Sequence, residues 1–191
     1  RIAVFLLCAF CVLVLSGCSE TQNEMIRADE TLFAMNTYMT FTAYGEHAQT
    51  ALDESEALIE KMESLWSVTD ENSEIYRANH SSGQTVSISE ETADLVSFAL
   101  KMAEKTEGAL DPTIYPMLTA WGFTTDSKQV PSLEQIAGLL QNVGYSRIQL
   151  EDTSLIVPEG MELDLGAVGK GYSADLVEEV LKKHDIESAI I

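Results

Sequence analysis

Apolar and polar positions alternate from Phe33 to Tyr44, with Met35, Thr37, Met39, Phe41 and Ala43 on one side and Asn36, Tyr38, Thr40 and Thr42 on the other. A period of two puts successive side chains on opposite faces of a strand, and Gly45 ends the run. Ala48, Ala51, Leu52, Leu58, Ile59, Met62, Leu65 and Trp66 then recur at helical spacing with acidic residues opposite, which predicts an amphipathic helix over roughly 46–66. From Ser67 to Ser87 the pattern is polar and irregular, with turn signals at Asn72-Ser73-Glu74 and Ser81-Ser82-Gly83. Ser89 reads as the N-cap of a second helix, Leu95, Val96, Ala99 and Met102 as its buried stripe, and Gly108 as its stop.

The second half of the chain continues in shorter units. Ser132 and Gln135 have the spacing of a capping box, so a short helix is predicted to about Gln141. Arg147–Glu151 and Ser154–Val157 flank Asp152-Thr153 as the two arms of a hairpin, and Met161–Leu165 is a further strand. A glycine-rich turn leads into a helix with Leu176, Val177, Val180 and Leu181 as its stripe, and Glu187–Ile191 is a strand that stops in mid-run. The alternation of strands and helices predicts an α+β fold, a mixed sheet with packed helices.

The ends change the picture. Arg1 precedes an apolar run from Ile2 to Leu15, the layout of a secretory signal and too short for the ~20 residues that span a bilayer. Leu15-Ser16-Gly17-Cys18 follows and resembles the bacterial lipobox, so residues 1–18 are expected to be a lipoprotein signal, with cleavage leaving a lipidated Cys18. Residues 19–30 are expected to be a polar tether and 31–191 the folded part, exported and held by lipid on the outer face of the bacterial cell membrane. Cys8 and Cys11 leave with the signal, so the body can hold neither an internal disulfide nor a thiolate metal site.

A formal net charge of -20 excludes a nucleic-acid partner, which needs clustered Lys and Arg to neutralise phosphates. It also repels any phosphate-bearing ligand, so a site for one needs a local cation or a metal. His47, His80 and His184 are separated on polar stretches and read as surface residues.

Two segments carry candidate chemistry. Asp164 to Asp175 joins a strand to a helix through Gly166, Gly169, Gly171 and Lys170. Glycine lets the backbone approach a phosphate, and a helix N-terminus offers N–H groups and partial positive charge. It matches neither the dinucleotide fingerprint nor the Walker pattern, so a tight connection explains it equally well. In Gly108-Ala109-Leu110-Asp111-Pro112-Thr113, Asp111 is pushed toward extended backbone by the proline, and its carboxylate can cap a turn. Trp121 and Phe123 suit ring stacking or core packing.

Taken in order, Met35-Asn36-Thr37, Leu65 to Thr69 with Asn72-Ser73-Glu74-Ile75 and Asn79, Thr106 to Thr113 with Pro116 and Trp121-Gly122-Phe123, and Asp164 to Asp175 resemble the ApbE family of flavin transferases. The resemblance covers nearly all of the expected body but only the first half to two-thirds of a usual family domain. It implies transfer of FMN from FAD to a threonine hydroxyl of an acceptor protein, a membrane redox subunit, with release of AMP and with Mg2+ required. Hydrolysis of FAD to FMN and AMP, or flavin binding without chemistry, are the competing readings. Position by position, the resemblance implies FAD contacts at Met35, Thr69, Ala109, Leu110, Asp111, Asp164 and Lys170, and a metal contact by the Ala167 carbonyl. Where many members carry an aromatic near the flavin, this chain has Ser67-Val68-Thr69. The remaining metal ligands of the family are expected beyond Ile191.

Overall fold

The computed structural model describes residues 26–124 and 127–191; the signal, the lipobox and Cys18 lie outside the described residues. In chain order the elements are β1 (Arg27–Ala34), β2 (Thr37–Tyr44), α1 (Ala48–Trp66), α2 (Glu74–Asn79), β3 (Val86–Ser87), α3 (Glu90–Lys105), α4 (Tyr115–Ala120), α5 (Leu133–Leu139), β4 (Gln149–Glu151), β5 (Ser154–Ile156), α6 (Gly166–Lys183) and β6 (Ser188–Ile190). The class is α+β, as the pattern implies. The strands form two three-stranded sheets, β1-β2-β6 and β3-β5-β4, in which every pair is antiparallel, where a mixed sheet was expected.

The first expected strand is a hairpin. Ala34 faces Thr37, so Met35 and Asn36 form a two-residue loop with φ of 49° and 57°. Two positive φ values match the right-handed twist of the flanking strands, and Asn tolerates that region whereas Met rarely enters it. The alternation runs unbroken through the loop, which hides it from a reading of period alone. β1 also starts at Arg27, inside the stretch expected as tether. Ala28, Leu32 and Ala34 are buried while Arg27 pairs with Asp29 on the outer side, where Asp29 accepts from Thr42 Oγ1 at 2.7 Å.

Helices were more legible than their ends. Ser89 caps α3 by accepting from the Thr92 N–H, and the Ser132–Gln135 capping box is complete in both directions. α3 stops at Lys105, before Gly108, because Glu107 already turns left-handed at φ 53°. α2, within the stretch expected to be irregular, is capped by Ser73 and buries Ile75 and Ala78. Its Glu74 carboxylate accepts from the N–H and hydroxyl of Ser89, tying α2 to α3. The Asp152-Thr153 hairpin is observed, with Glu151 facing Ser154.

Met161–Leu165 is no strand. Met161, Leu163 and Leu165 are buried in alternation, but no neighbouring strand pairs with the segment. The Asn79 carboxamide takes that role: its Nδ2 donates to the Leu163 carbonyl at 2.9 Å and its Oδ1 accepts from the Leu163 N–H at 2.7 Å. One side chain thus does for Leu163 what a ladder partner does, leaving neither buried group unpaired.

Two cores meet along α1. Its last turns pack with α2, α3 and the 155–168 region, through Met62, Trp66, Ile75, Leu95, Leu155 and Leu163. Its first turns pack under the β1-β2 sheet against α6, through Ala51, Leu52, Ile59, Val177 and Leu181. α1 and α6 run antiparallel: a Cβ at Gly169 would lie 4.0 Å from Trp66, and at the far end Glu54 meets Lys183 and His184, each at 2.7 Å.

Candidate functional site

An open cleft of about 690 Å³ lies at the Trp66–Gly169 end of the helix pair. That is within the roughly 300–1,000 Å³ of small-molecule and cofactor sites. Its walls come from three segments distant in sequence: the hairpin tip with Phe33, Met35 and Asn36; the end of α1 and its exit with Glu63, Trp66, Ser67, Val68 and Thr69; and the start of α6 with Asp164, Leu165, Gly166, Gly169 and Lys170. Phe123 and Thr124 complete the rim.

The hairpin tip is held from α1. The Met35 N–H donates to Glu63 Oε1 at 2.8 Å, and the thioether accepts a weak bond from the buried Ser173 hydroxyl at 3.9 Å. Left-handed backbone at a long side chain persists only where the surroundings fix it, and it clusters at functional positions. At the exit of α1, Ser67 Oγ accepts from the amides of Thr69 and Asp70, at 3.2 and 3.0 Å, and turns Thr69 outward.

The glycine-rich segment is helical from its first glycine. α6 begins at Gly166 with no cap from Leu165; instead Asp164 Oδ1 accepts from the Gly166 N–H at 2.7 Å. A carboxylate there complements the helix dipole. It also fixes the glycine, since a Cβ on Gly166 would come within 2.9 Å of that oxygen. Lys170 is exposed on the cleft wall and makes no ion pair among the described residues. The charged groups lining the cleft are thus Glu63, Asp164 and Lys170, two acids and one base. Among the described residues Lys170 is the one cation lining the cleft, and the Asp164 carboxylate already sits at the start of α6.

The structure therefore brings Met35, Thr69, Asp164 and Lys170 together and leaves the other expected contacts off the cleft walls. Asp111 Oδ1 accepts from the amide and hydroxyl of Thr113, at 2.9 and 2.6 Å, and Oδ2 from the Tyr145 amide at 3.1 Å. Its carboxylate latches a turn, as the Asp-Pro spacing allows. Ala109 is exposed and Leu110 packs on the core. This loop still touches the site from behind, because the Pro112 carbonyl accepts from the Asp164 N–H at 2.8 Å. Glu63 and Phe33 were not legible as site residues: Glu63 reads as one more acid on the polar side of α1, and Phe33 as one more apolar residue of a strand.

Ala167 sits in the first turn of α6, where a carbonyl accepts from the amide four residues on, so it offers one neutral lone pair. Magnesium requires near-octahedral oxygen coordination. Among the described residues no group of three or more His, Cys, Asp or Glu is placed to hold a metal. The residues present do not assemble a magnesium site, and no step is routed through one.

The sequence model of the ApbE family matches residues 35–191. The chain belongs to the ApbE family. It is 26% identical over 186 residues to a FAD:protein FMN transferase of Vibrio cholerae, covering 94% of this chain and 55% of that protein. A FAD:protein FMN transferase of Treponema pallidum is 28% identical over 203 residues, with 100% and 55% covered. The crystal structure of the ApbE protein of Thermotoga maritima superposes with a TM-score of 0.80 at 29% identity, over 86% of this chain and 55% of that one. The chain thus spans about half the length of the relatives it matches.

Proposed function

We propose that this chain forms the FAD-holding face of an enzyme that transfers FMN from FAD to a threonine hydroxyl of an acceptor protein and releases AMP. The observation that carries the reading is the convergence of Met35, Thr69, Asp164 and Lys170 on one cleft, in a chain whose relatives are named for this transfer. In that reaction the hydroxyl attacks the FMN phosphorus, the bond to the AMP oxygen breaks, and negative charge grows on the phosphate oxygens. Lys170 and the start of α6 are placed to offset it. On a surface this acidic the offset decides whether the pyrophosphate is held. At ~4 Å, two unit charges interact by roughly 1 kcal/mol in water and about 4 at an effective dielectric of 20.

Magnesium belongs to this reading through the family resemblance, with Ala167 contributing a single carbonyl. Export and lipidation at Cys18 belong to it through the apolar run and the lipobox; among the described residues no helix is long and apolar enough to cross a membrane. Mass analysis of the membrane fraction tests the anchor, and a mature terminus other than an acylated Cys18 rejects it.

The activity is tested on protein from the complete coding sequence, with FAD, magnesium and a threonine-bearing acceptor, by in-gel flavin fluorescence of the denatured acceptor. Free FMN and AMP without labelling would assign hydrolysis instead. Lys170→Ala should weaken FAD by roughly 10- to 150-fold and riboflavin far less, because a charge-assisted bond to the pyrophosphate is lost. Equal loss for both ligands removes the phosphate role of Lys170.

A further inference from the structure

One residue of the cleft wall, Phe33, belongs to an aromatic pair whose other member, Tyr38, lies outside the cleft lining. Phe33 and Tyr38 face each other directly across β1 and β2, with ring centroids 5.0 Å apart and planes at 63°. Both are open to solvent, at 59% and 78% exposure, and Phe33 lines the cleft. A single exposed aromatic is ordinary, and a cross-strand pair can serve only to stabilise its hairpin. What distinguishes this one is its mounting. It flanks the strained Met35-Asn36 loop, which Glu63 pins to α1, so its position relative to Lys170 on α6 is fixed by backbone rather than by a flexible loop. An edge-on contact, unlike a parallel stack, does not cover a face of both rings.

At the exit of α1 the cleft presents Val68 and Thr69, small side chains that offer no flat π-surface; of its other aromatic rings Trp66 is buried and Phe123 stands on the rim. Its pyrophosphate-attracting end is Lys170, and the hairpin tip forms another part of the same wall. We propose that Phe33, propped by Tyr38, is the surface on which the isoalloxazine ring of the flavin stacks in this protein. This rests on the FAD-holding reading above. Phe33 acts by direct contact, and Tyr38 acts as a positioning residue through it.

The test uses protein from the complete coding sequence and four probes: riboflavin, FMN and FAD, followed by flavin fluorescence, and ADP, followed by calorimetry. Stacking of a heteroaromatic base on a side chain corresponds to roughly 5- to 150-fold in affinity. Phe33→Ala and Phe33→Leu should weaken riboflavin, FMN and FAD by a common factor in that range and relieve the quenching of bound flavin. ADP should bind unchanged, and Phe33→Tyr should restore flavin affinity. Tyr38→Ala should give a smaller loss in the same direction. Because Phe33 is exposed, these variants keep the buried core, and circular dichroism with a thermal melt checks that. Flavin affinity within twofold of the parent in both Phe33→Ala and Phe33→Leu overturns the proposal, as does a loss that falls on ADP. A parent that binds no flavin overturns the FAD-holding reading as well; a flavin-binding parent with indifferent Phe33 variants overturns this inference alone.

Discussion

The two ends of the α1–α6 pair follow different rules. At the end away from the cleft, Ala51, Leu52, Val177 and Leu181 are buried together, and Glu54 receives both Lys183 and His184. Local preference and tertiary contact agree there: small and aliphatic side chains inside, cations in the last turn of α6, a carboxylate facing them. At the cleft end the exceptions gather, on the two helices and on the segments that meet them. Among the described residues Trp66 Nε1 is buried without a hydrogen-bond partner and Lys170 has no ion pair, while on the neighbouring segments Met35 is left-handed and Phe33 and Phe123 are exposed. One pair of helices thus serves as foundation at one end and as site wall at the other, and departures from locally favoured structure mark which is which.

The contrast can be broken at Glu63. Glu63→Ala leaves the Met35 amide without its acceptor, and a hydrogen bond to a charged group is worth about 1.5–3 kcal/mol. We expect a stability loss of about 2 kcal/mol by urea denaturation, together with weaker flavin binding as the hairpin tip loosens. Glu63→Gln keeps an acceptor oxygen and should lose less of both. If Glu63→Ala leaves both unchanged, the tip is fixed by something other than α1.

The glycines of α6 sharpen the same contrast. At Gly169 a new Cβ would meet only Trp66 at 4.0 Å, an ordinary contact, whereas at Gly166 it would meet Asp164 Oδ1 at 2.9 Å. Gly169→Ala should therefore raise stability by up to about 1 kcal/mol, the helix preference for Ala over Gly. Gly166→Ala should lower it, because the Asp164 cap must move. Thermal melts of the two variants with opposite signs would show that the Asp164 cap requires Gly166 and that the packing on Trp66 does not require Gly169. Equal signs would remove that distinction.

Legibility in the sequence follows the same division. Elements whose sequence agrees with their structure were readable: α1 and α3 from their stripes, α5 from its capping box, the 151–154 hairpin from its spacing. Those that failed did so where a tertiary partner replaced a local signal. The Met35-Asn36 turn has no Gly or Pro to announce it, because Glu63, 28 residues away, holds it. Met161–Leu165 alternates like a strand yet takes its partner from the side chain of Asn79. Lys170 stood out because glycines and a lysine at a helix start are a local pattern, whereas Met35, Thr69 and Asp164 came only from the resemblance to the ApbE family. Phe33 and Glu63 did not stand out, since one looks like an ordinary apolar strand residue and the other like an ordinary surface acid until the fold places them beside the cleft.

The smallest effect belongs to the quiet end of the pair. Hydrogen bonds from Lys183, and then from His184, hold the Glu54 carboxyl below its ordinary pKa, against an opposing effect of burial. A carboxylate whose pKa is lowered on folding adds stability above its unfolded value, about 4.3, and that contribution disappears as pH falls through the folded value. Glu54→Gln should therefore be slightly less stable than the parent at pH 7, and the gap should close as pH drops below about 4. All three partners reach solvent, so the gap should also shrink with added salt. Flavin binding should not change at all, since the pair lies at the opposite end from Lys170. The comparison is read from urea midpoints of both proteins across pH. A gap that widens toward acid would show the carboxyl to be held above its ordinary value, and a change in flavin affinity would show that the two ends of the helix pair are coupled.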